Sequence, residues 1–379
     1  MDRSHFCVFV ALLQCLASCS APAAPTSSAG GDAGATPVAG RGNAGGGGNS
    51  GGGGTGGTGG STAVAVAGSG GTASGGGSGA AGSSSGEPAP SPNWVNATGN
   101  LAGMASECSN MGRVAADPSS KRVIAAVAQQ GLWASDDGGK SWQPLGQGAG
   151  SAAITNRPTA ITFDPEHPNV FWETGIYGAG GGMYKTTDGG ETFAQLGTIT
   201  NSQTASVDFG DPERKAILTG THGKGVYRSS DGGLSFVDVG TSLPGVDTLW
   251  PLLIDAQRLL MGTFDIAVYR STDGGTNWNE VSKLPPSNYD GGFLRASDGS
   301  VYLSLSGNRG FGKSTDLGQS WTELDATGVA FAAPNFRITP IELPGGKLVT
   351  VGKDQLLKSS DGGSTWQAIG EPLPFVINS

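Results

Sequence analysis

The stretch "YRSSDGGLSF" (227–236) recurs with small changes as "YRSTDGGTNW" (269–278) and "LKSSDGGSTW" (357–366). Six eight-residue windows in all carry the pattern Ser/Thr-x-Asp-x-Gly-x-Ser/Thr-aromatic, with two mild departures: Asn277 replaces the second Ser/Thr of the fourth window, and Leu317 replaces, in the fifth, the Gly that follows Asp in the others. We call these windows the repeat boxes, and their aspartates are Asp137, Asp188, Asp231, Asp273, Asp316 and Asp361. The intervals between the aspartates are 51, 43, 42, 43 and 45 residues, and a period of this size is typical of one propeller blade.

Short β-type runs surround each repeat box. In the third repeat, "GVYRS" precedes the box, "FVDVG" closes it, and "SVDFGDP" and "KAILTGT" lie upstream. Asp-Gly-Gly between two such runs predicts a hairpin, because glycine accepts positive φ and the Asp side chain can bond the N–H groups of the turn. Each repeat therefore predicts four antiparallel strands, and no stretch of the repeat region has a sustained helical period.

Six complete four-strand sets fit between Met111 and Ile369, so we expect an all-β fold that is a single six-bladed β-propeller. A seven-bladed propeller is the alternative, and it would need three further C-terminal strands. The segment "NWVNATG" (93–99) is predicted to be an outer strand that helps to close the ring.

The six box aspartates are predicted to be structural. Six symmetric copies at the edge of the blades cannot converge on one substrate. Each aspartate also has local backbone donors to satisfy, as Asp residues in turns commonly do.

The repeat boxes resemble the Asp-box, or bacterial neuraminidase repeat, of sialidases, sortilin-type receptors, xyloglucan-cleaving glycoside hydrolases and a photosystem II assembly factor. The resemblance covers about residues 109–371. It implies that each box forms the turn between the third and fourth strands of a blade. Ligands would then bind on the opposite face, in the loops between strands 2 and 3 and between blades, or at the mouth of the central channel.

Residues that differ between repeats are the candidate ligand-binding residues, because aromatic rings beside Arg and Asp suit a sugar or a peptide. Four arginines are predicted at or near the starts of inner strands: Arg113, Arg157, Arg295 and Arg337. The loops between strands 2 and 3 offer Tyr177, His222, Lys224, Asp265 and Arg309. Trp250, Tyr289 and Asp290 lie in or beside two other loops. Of these we expect ligand binding by Arg113, Arg295, Arg337, Trp250 and His222.

An exo-acting glycoside hydrolase of the sialidase type is the alternative function. The resemblance to sialidases would place Arg113, Arg295 and Arg337 in a triad that grips a carboxylate, with Tyr289 as nucleophile and Asp290 as the other catalytic candidate. The stretch "FRITP" (336–340) is close to the sialidase Phe-Arg-Ile-Pro motif but has an inserted Thr, and no Glu is placed to activate Tyr289.

The other enzyme class that the resemblance suggests fits less well. Xyloglucan-cleaving enzymes use two propellers with a carboxylate from each, whereas this chain predicts one propeller and no carboxylate pair at a set separation. The three His residues have no zinc-binding spacing, and we expect neither a metal nor another cofactor.

The N-terminal part predicts export. Residues 1–18 read as a signal peptide, and Leu16-Ala17-Ser18-Cys19 resembles the bacterial lipobox, which implies a lipid on Cys19. The alternative is a secreted protein cut near Ala21 to Ala24. Residues 19–92, rich in Gly, Ser and Ala, predict a disordered tether with a mean span of about 45 Å. Residues 93–379 then form the propeller.

The net charge and the cysteine content limit the partners and roles that the sequence allows. The formal net charge of −9 argues against nucleic acid as a partner. Cys108 is left alone once the signal cysteines and Cys19 are set aside, and a buried small residue is its expected role. We expect a monomeric lipoprotein at the outer membrane or cell surface. Its propeller is predicted to bind a glycan or a protein on the loop face without catalysis.

Overall fold

The computed structural model describes residues 94–106, 111–146, 150–223, 225–244, 248–264, 266–287, 292–307, 309–324 and 339–373. Within these ranges, 24 strands form six four-stranded antiparallel sheets, which confirms the predicted six-bladed β-propeller. The predicted signal peptide, lipidated Cys19, tether and Cys108 lie outside the described residues. No helix in the described ranges is long and apolar enough to cross a membrane.

Each blade is built from four strands that are consecutive in the chain. Blade 1 holds β1 (Met111–Ala116), β2 (Val123–Val127), β3 (Gly131–Ser135) and β4 (Gln143–Pro144). Blade 2 holds β5 (Arg157–Phe163), β6 (Phe171–Ile176), β7 (Gly182–Thr186) and β8 (Ala194–Gln195). Blade 3 holds β9 (Ser206–Val207), β10 (Ile217–Thr221), β11 (Gly225–Ser229) and β12 (Val237–Asp238).

The second half of the ring repeats this arrangement. Blade 4 holds β13 (Thr248–Leu253), β14 (Leu259–Thr263), β15 (Ala267–Ser271) and β16 (Asn279–Ser282). Blade 5 holds β17 (Phe293–Arg295), β18 (Val301–Ser304), β19 (Phe311–Ser314) and β20 (Thr322–Leu324). Blade 6 holds β21 (Ile341–Leu343), β22 (Lys347–Val351), β23 (Leu356–Ser359) and β24 (Gln367–Ile369). Two short 3-10 helices span Gly99–Leu101 and Gly150–Ala153.

The core lies between neighbouring blades. In the second strand of blade 2, Phe171 packs towards blade 1 with Ile124 and Leu132, while Trp172 packs towards blade 3 with Ile217. Both faces of such a strand are covered, which explains why second strands such as "VIAAV" are continuous apolar runs rather than alternating ones.

Every repeat box forms the turn between the third and fourth strands of its blade, as predicted. In the third box the Ser229 hydroxyl donates to Asp231 Oδ1 at 2.7 Å, and the Gly233 N–H donates to Ser229 Oγ at 2.8 Å. Ser235 then gives Asp231 both its N–H, at 3.0 Å, and its hydroxyl, at 2.6 Å. Each box therefore closes on itself through its own hydroxyl and carboxylate groups.

The two departures from the pattern keep this geometry. In the fourth box, Asn277 donates from Nδ2 to Asp273 Oδ2 at 2.7 Å, which replaces the usual hydroxyl contact. In the fifth, Leu317 takes the left-handed backbone conformation, with φ of 58°, that glycine adopts in the other boxes.

The second glycine of the box allows close packing of successive blades. A Cβ on Gly233 would lie 2.7 Å from Cδ1 of Leu196, which follows the outer strand of the preceding blade. A Cβ on Gly139 would similarly lie 2.6 Å from the Cβ of Ala97. The segment that carries Ala97 therefore occupies, against blade 1, the position that the end of a preceding blade occupies elsewhere.

The prediction that "NWVNATG" is an outer strand was nevertheless wrong. Its described residues join no sheet, because Asn96 Oδ1 accepts the Thr98 N–H at 2.9 Å and Gly99, at φ of 47°, begins a 3-10 helix. The segment still links the two ends of the propeller. Trp94 donates its indole N–H to the Glu371 carbonyl at 3.0 Å, and the Trp142 indole donates to the Ala97 carbonyl at 3.0 Å.

Candidate functional site

A central cavity of about 510 Å³ runs between the inner strands. Every blade contributes to its wall, and one lining residue from each, in blade order, is Arg113, Thr162, Val207, Trp250, Phe293 and Thr339. The volume lies within the range of small-ligand sites, about 300–1,000 Å³. This cavity is the candidate binding site.

Two predicted site residues occupy equivalent positions in the cavity wall. The register of β1 shifts between Met111 and Arg113, and the register of β13 shifts in the same way between Thr248 and Trp250. Such bulges re-aim a side chain. Because blades 1 and 4 are three places apart in a ring of six, Arg113 and Trp250 lie on opposite sides of the channel.

The arginines are anchored by backbone carbonyl groups. Arg113 donates from Nε to the Thr159 carbonyl of blade 2 and from Nη1 to the Gly112 carbonyl at 3.2 Å. Arg295 donates from Nη1 to the Ile254 carbonyl of blade 4 at 2.9 Å. Both guanidinium groups therefore connect adjacent blades as well as lining the cavity.

Arg295 lies near the start of an inner strand, as predicted, because it is the third residue of β17 just as Arg113 is the third residue of β1. Arg295 is the last residue of β17, and the strand begins only at Phe293. The chain turns directly after it, where the Gly299 N–H donates to the Ala296 carbonyl at 2.9 Å. Because β17 is shorter than β1, Arg295 ends its strand whereas three further residues follow Arg113, and both arginines line the cavity.

Trp250 gives the cavity a flat apolar wall. Its side chain is largely buried, with 8 % of the residue exposed, and its indole N–H has no hydrogen-bond partner among the described residues. The Thr204 hydroxyl, on a neighbouring wall segment, is also buried and has no hydrogen-bond partner in the described part of the chain. Unpaired buried polar groups are uncommon and are often found at functional sites.

The described wall of the cavity contains one carboxylate, that of Asp208. Its Oδ1 accepts the Gly210 N–H at 3.0 Å, so it is part of a turn. No group of three or more His, Cys, Asp or Glu residues in the described ranges is arranged to hold a metal ion. With two arginines and one aspartate, the described wall is suited to neutral or anionic ligands.

His222 lies away from the cavity, next to Tyr177. The Tyr177 hydroxyl lies 2.9 Å from His222 Nε2, and the two rings meet edge to face with centroids 5.2 Å apart. Both residues come from loops between second and third strands, as predicted, one in blade 2 and one in blade 3. Their neighbour Asn201, which sequence reasoning missed, accepts the Tyr177 N–H at 2.8 Å through Oδ1.

The remaining sequence candidates are distributed elsewhere. Arg157 is the first residue of β5. Arg309 forms a two-pronged ion pair with Glu323, with one contact of 2.9 Å. Arg337, Tyr289, Asp290, Lys224 and Asp265 lie outside the described residues.

A buried carboxyl group lies between blades 1 and 2. Glu173 on β6 is fully buried, and burial raises its pKa to about 8 although Asn156 donates to Oε2 at 3.3 Å. Among the residues that the structure describes, its Oε1 and the Asn156 Oδ1 have no hydrogen-bond partner. Glu173 is therefore a neutral acid at pH 7, and its 0 % exposure keeps it out of contact with a ligand.

The box aspartates behave in the opposite way. The hydroxyl and N–H of Ser235 and the hydroxyl of Ser229 lower the pKa of Asp231 to about 2. The Thr192 contacts lower that of Asp188 to about 2 in the same manner. These carboxylates are ionised and fully engaged in their turns, which supports a structural role.

A buried ion pair joins blades 2 and 3. Arg214 donates from Nε to Asp164 Oδ2 at 2.8 Å and from Nη2 to Glu166 Oε2 at 2.6 Å. Burial alone would raise the pKa of Asp164, but the hydrogen bonds from Arg214, from the N–H groups of Glu166 and His167 and from the His167 side chain outweigh it and hold that pKa well below the usual range. Arg214 also donates to the Phe209 and Asp211 carbonyl groups, so the cluster fixes the ends of the inner strands.

The chain matches no protein-family model and no curated protein. Among solved structures it is similar to a GH74 enzyme of Niastella koreensis, at 18 % identity and a TM-score of 0.51 over 68 % of this chain and 45 % of that chain. It is also similar to the extracellular domain of a hybrid two-component system of B. thetaiotaomicron, at 13 % identity and a TM-score of 0.51 over 70 % of this chain and 35 % of that chain.

A third similar structure is YCF48 bound to D1 peptide, at 19 % identity and a TM-score of 0.45 over 65 % of this chain and 78 % of that chain. The chain spans less than half the length of the first GH74 structures. At these identities the comparisons show the fold alone.

Proposed function

We propose that this propeller is a non-catalytic binding or assembly module for a glycan or a protein. The observation that carries the proposal is the composition of the central cavity. Its described wall combines the guanidinium groups of Arg113 and Arg295 with the indole of Trp250 and a single carboxylate, Asp208. Such a wall offers an apolar surface and a few fixed hydrogen-bond donors, which are features of binding pockets.

The hydrolase alternative is less well supported by the same wall. Glycoside hydrolysis in most families needs two carboxyl groups on either side of the scissile bond, about 5–10 Å apart. Among the described wall residues Asp208 stands alone, and it is engaged with Gly210. The similarity to GH74 propellers, at 18 % identity, concerns the fold.

We further propose how the module is displayed. A lipid on Cys19 would anchor the mature chain at the outer membrane or cell surface, and the tether 19–92 would hold the propeller away from it. We also propose that the repeat boxes are Asp-boxes, whose side chains hold the turns between the third and fourth strands in place. A monomer without nucleic-acid partners is consistent with the net charge of −9.

The test is to assay the full chain on arrays of immobilised glycans and peptides and, in parallel, on a panel of fluorogenic glycosides. We expect binding without turnover. The variants Arg295→Ala and Trp250→Phe should weaken binding, whereas Arg309→Ala, which removes an arginine paired with Glu323 outside the cavity, should not. Turnover of any glycoside, or binding that both cavity variants leave unchanged, would overturn the proposal.

A further inference from the structure

The buried carboxyl group of Glu173 is connected to a surface loop by one side chain. Asn156 donates from Nδ2 both to Glu173 Oε2, at 3.3 Å, and to the Gly180 carbonyl, at 3.0 Å. The Asn156 carbonyl accepts the Gln129 N–H of blade 1 at 3.0 Å, so its backbone is fixed to the neighbouring blade. Asn156 therefore links the carboxyl group to residues 177–181, which join the second and third strands of blade 2 and which we call the blade 2 loop.

The blade 2 loop lies on a backbone surface and not on apolar side chains. After Tyr177 its sequence is Gly-Ala-Gly-Gly. A Cβ on Gly178 or on Gly180 would lie 2.5 Å from a backbone atom of Thr155, so the loop fits this surface only because it lacks side chains at these positions. A segment with few apolar contacts opens at a low cost in free energy. The hydrogen bond from Asn156 therefore holds Gly180 in a loop that is otherwise easily opened.

The other wall around Glu173 is apolar or neutral. Phe171, two residues earlier on the same face of β6, packs into the core between blades 1 and 2. Tyr184 lies opposite Glu173 in the pairing of β6 with β7, and its hydroxyl donates to the Ala153 carbonyl at 3.2 Å. Burial and the Glu173 charge raise the pKa of Tyr184, so this phenol stays neutral at pH 6 to 8. Strands β2 and β3 of blade 1 contain no charged residue.

The cations on the surrounding strands form no ion pair with Glu173 in the described part of the chain. Arg113 of β1 donates to the Gly112 and Thr159 carbonyl groups. Lys185 of β7 lies over the Trp172 ring, 5.1 Å from its centroid. Arg157 of β5 is paired with the end of β6. An ionised Glu173 would therefore be an isolated buried charge, which is costly unless it reaches water.

We propose that Glu173 is a proton-dependent latch, which in its neutral form holds the blade 2 loop closed through Asn156 and which releases that loop when it ionises. The loop is the neighbouring element that can open and admit water without uncovering large apolar side chains. Burial raises the pKa of Glu173 to about 8, so the latch is closed at low pH and weakens as pH rises towards 8. It makes this loop, beside the exposed Tyr177, sensitive to pH.

The test is hydrogen exchange of the full chain by mass spectrometry at pH 6, 7 and 8, corrected for the intrinsic pH dependence of exchange. Peptides that cover 178–183 report the blade 2 loop, and peptides from β14 in blade 4 report unfolding of the whole propeller. In the unmodified chain we expect the loop to open at least tenfold more often than β14. Its opening should also rise at least tenfold from pH 6 to pH 8, because one released proton gives up to about tenfold per pH unit.

Three variants complete the test. Glu173→Gln keeps the shape of the neutral carboxyl group and cannot ionise, so its loop opening should stay constant over this range. Asn156→Ala removes the link, and at pH 6 its loop should open at least tenfold more often than that of the unmodified chain. The matched control Glu191→Gln changes an exposed carboxylate and should behave as the unmodified chain.

Three results would each overturn the latch. The first is a loop opening that changes with pH in parallel in the unmodified chain and in Glu173→Gln. The second is equal opening of the loop and of β14, which would mean that Glu173 acts on the whole propeller. The third is a loop that stays protected in Asn156→Ala. No ligand is present in these measurements, so their outcome does not depend on the proposed binding function.

Discussion

Glu173→Gln should abolish a specific pH dependence of stability. Glutamine has nearly the shape of the neutral carboxyl group, so the variant is expected to fold and to match the unmodified chain near pH 5. At higher pH the free energy of unfolding of the unmodified chain should fall below that of the variant. The folded protein keeps the Glu173 proton up to a pKa of about 8, whereas the unfolded chain releases it above its ordinary value of 4.5.

The sign and size of this pH dependence follow from proton linkage. Between pH 4.5 and 8 the folded state binds more protons at this site than the unfolded state, so the free energy of unfolding falls as pH rises. One pKa unit corresponds to about 1.4 kcal/mol. From pH 5 to pH 7 the unmodified chain should therefore lose about 2.5 kcal/mol relative to the Gln variant.

The assay is urea unfolding at pH 5, 6 and 7, followed by tryptophan fluorescence, on the unmodified chain, Glu173→Gln and the control Glu191→Gln. Glu191 is exposed in the second repeat box, so its variant should follow the unmodified chain. If Glu173→Gln and the unmodified chain lose stability in parallel across this range, Glu173 is not a buried neutral acid and the reasoning is refuted.

Four further predictions concern the boxes, the blade contacts and the anchor. Thermal melts should show stability falling between pH about 4 and about 2, because box aspartates such as Asp231 have a lowered folded pKa and their contribution is lost on protonation; a melting temperature constant down to pH 2 would count against the box geometry. Arg214→Met should lower the free energy of unfolding in urea by about 3–5 kcal/mol, because it removes the guanidinium partner of the buried Asp164 carboxylate, which keeps only its contacts with Glu166 and His167; a loss below 1 kcal/mol would contradict this. Trp94→Phe should cost about 1 kcal/mol in the same assay by removing the hydrogen bond to the Glu371 carbonyl, and an unchanged stability would mean that this link does not hold the two ends together. Cys19→Ser should move the protein from the membrane fraction to the soluble fraction, and continued membrane retention would exclude the lipid anchor.

Local chemistry explains which parts of the fold were predictable. The third strand of the third repeat was predicted to the residue as "GVYRS", which is β11 (Gly225–Ser229), because the repeat box that follows it closes through its own side chains. The outer strands are shorter than the apolar runs that indicated them: "FVDVG" contains only the two-residue strand Val237–Asp238. An outer strand pairs on one side alone, so its length depends on contacts that the pattern does not encode.

The site was less predictable because it depends on contacts between blades. Arg113 and Trp250 were recognised as irregular residues, but the shared bulge that places them at equivalent positions arises from strand pairing. Tyr177 and His222 were assigned to separate loops 45 residues apart, and only the packing of blades 2 and 3 brings their side chains to 2.9 Å. The end of β17 at Arg295 is likewise set by the turn that follows it.

The central claim, that the cavity binds a ligand and leaves it intact, is tested most directly by mass spectrometry of a bound ligand. The ligand that binds best on the arrays is incubated at length with the full chain, separated, and weighed, with Arg295→Ala as the comparison. The account predicts that the unmodified chain retains the ligand at its original mass and that the variant retains less. Recovery of a cleaved ligand, or equal retention by the variant, would contradict it.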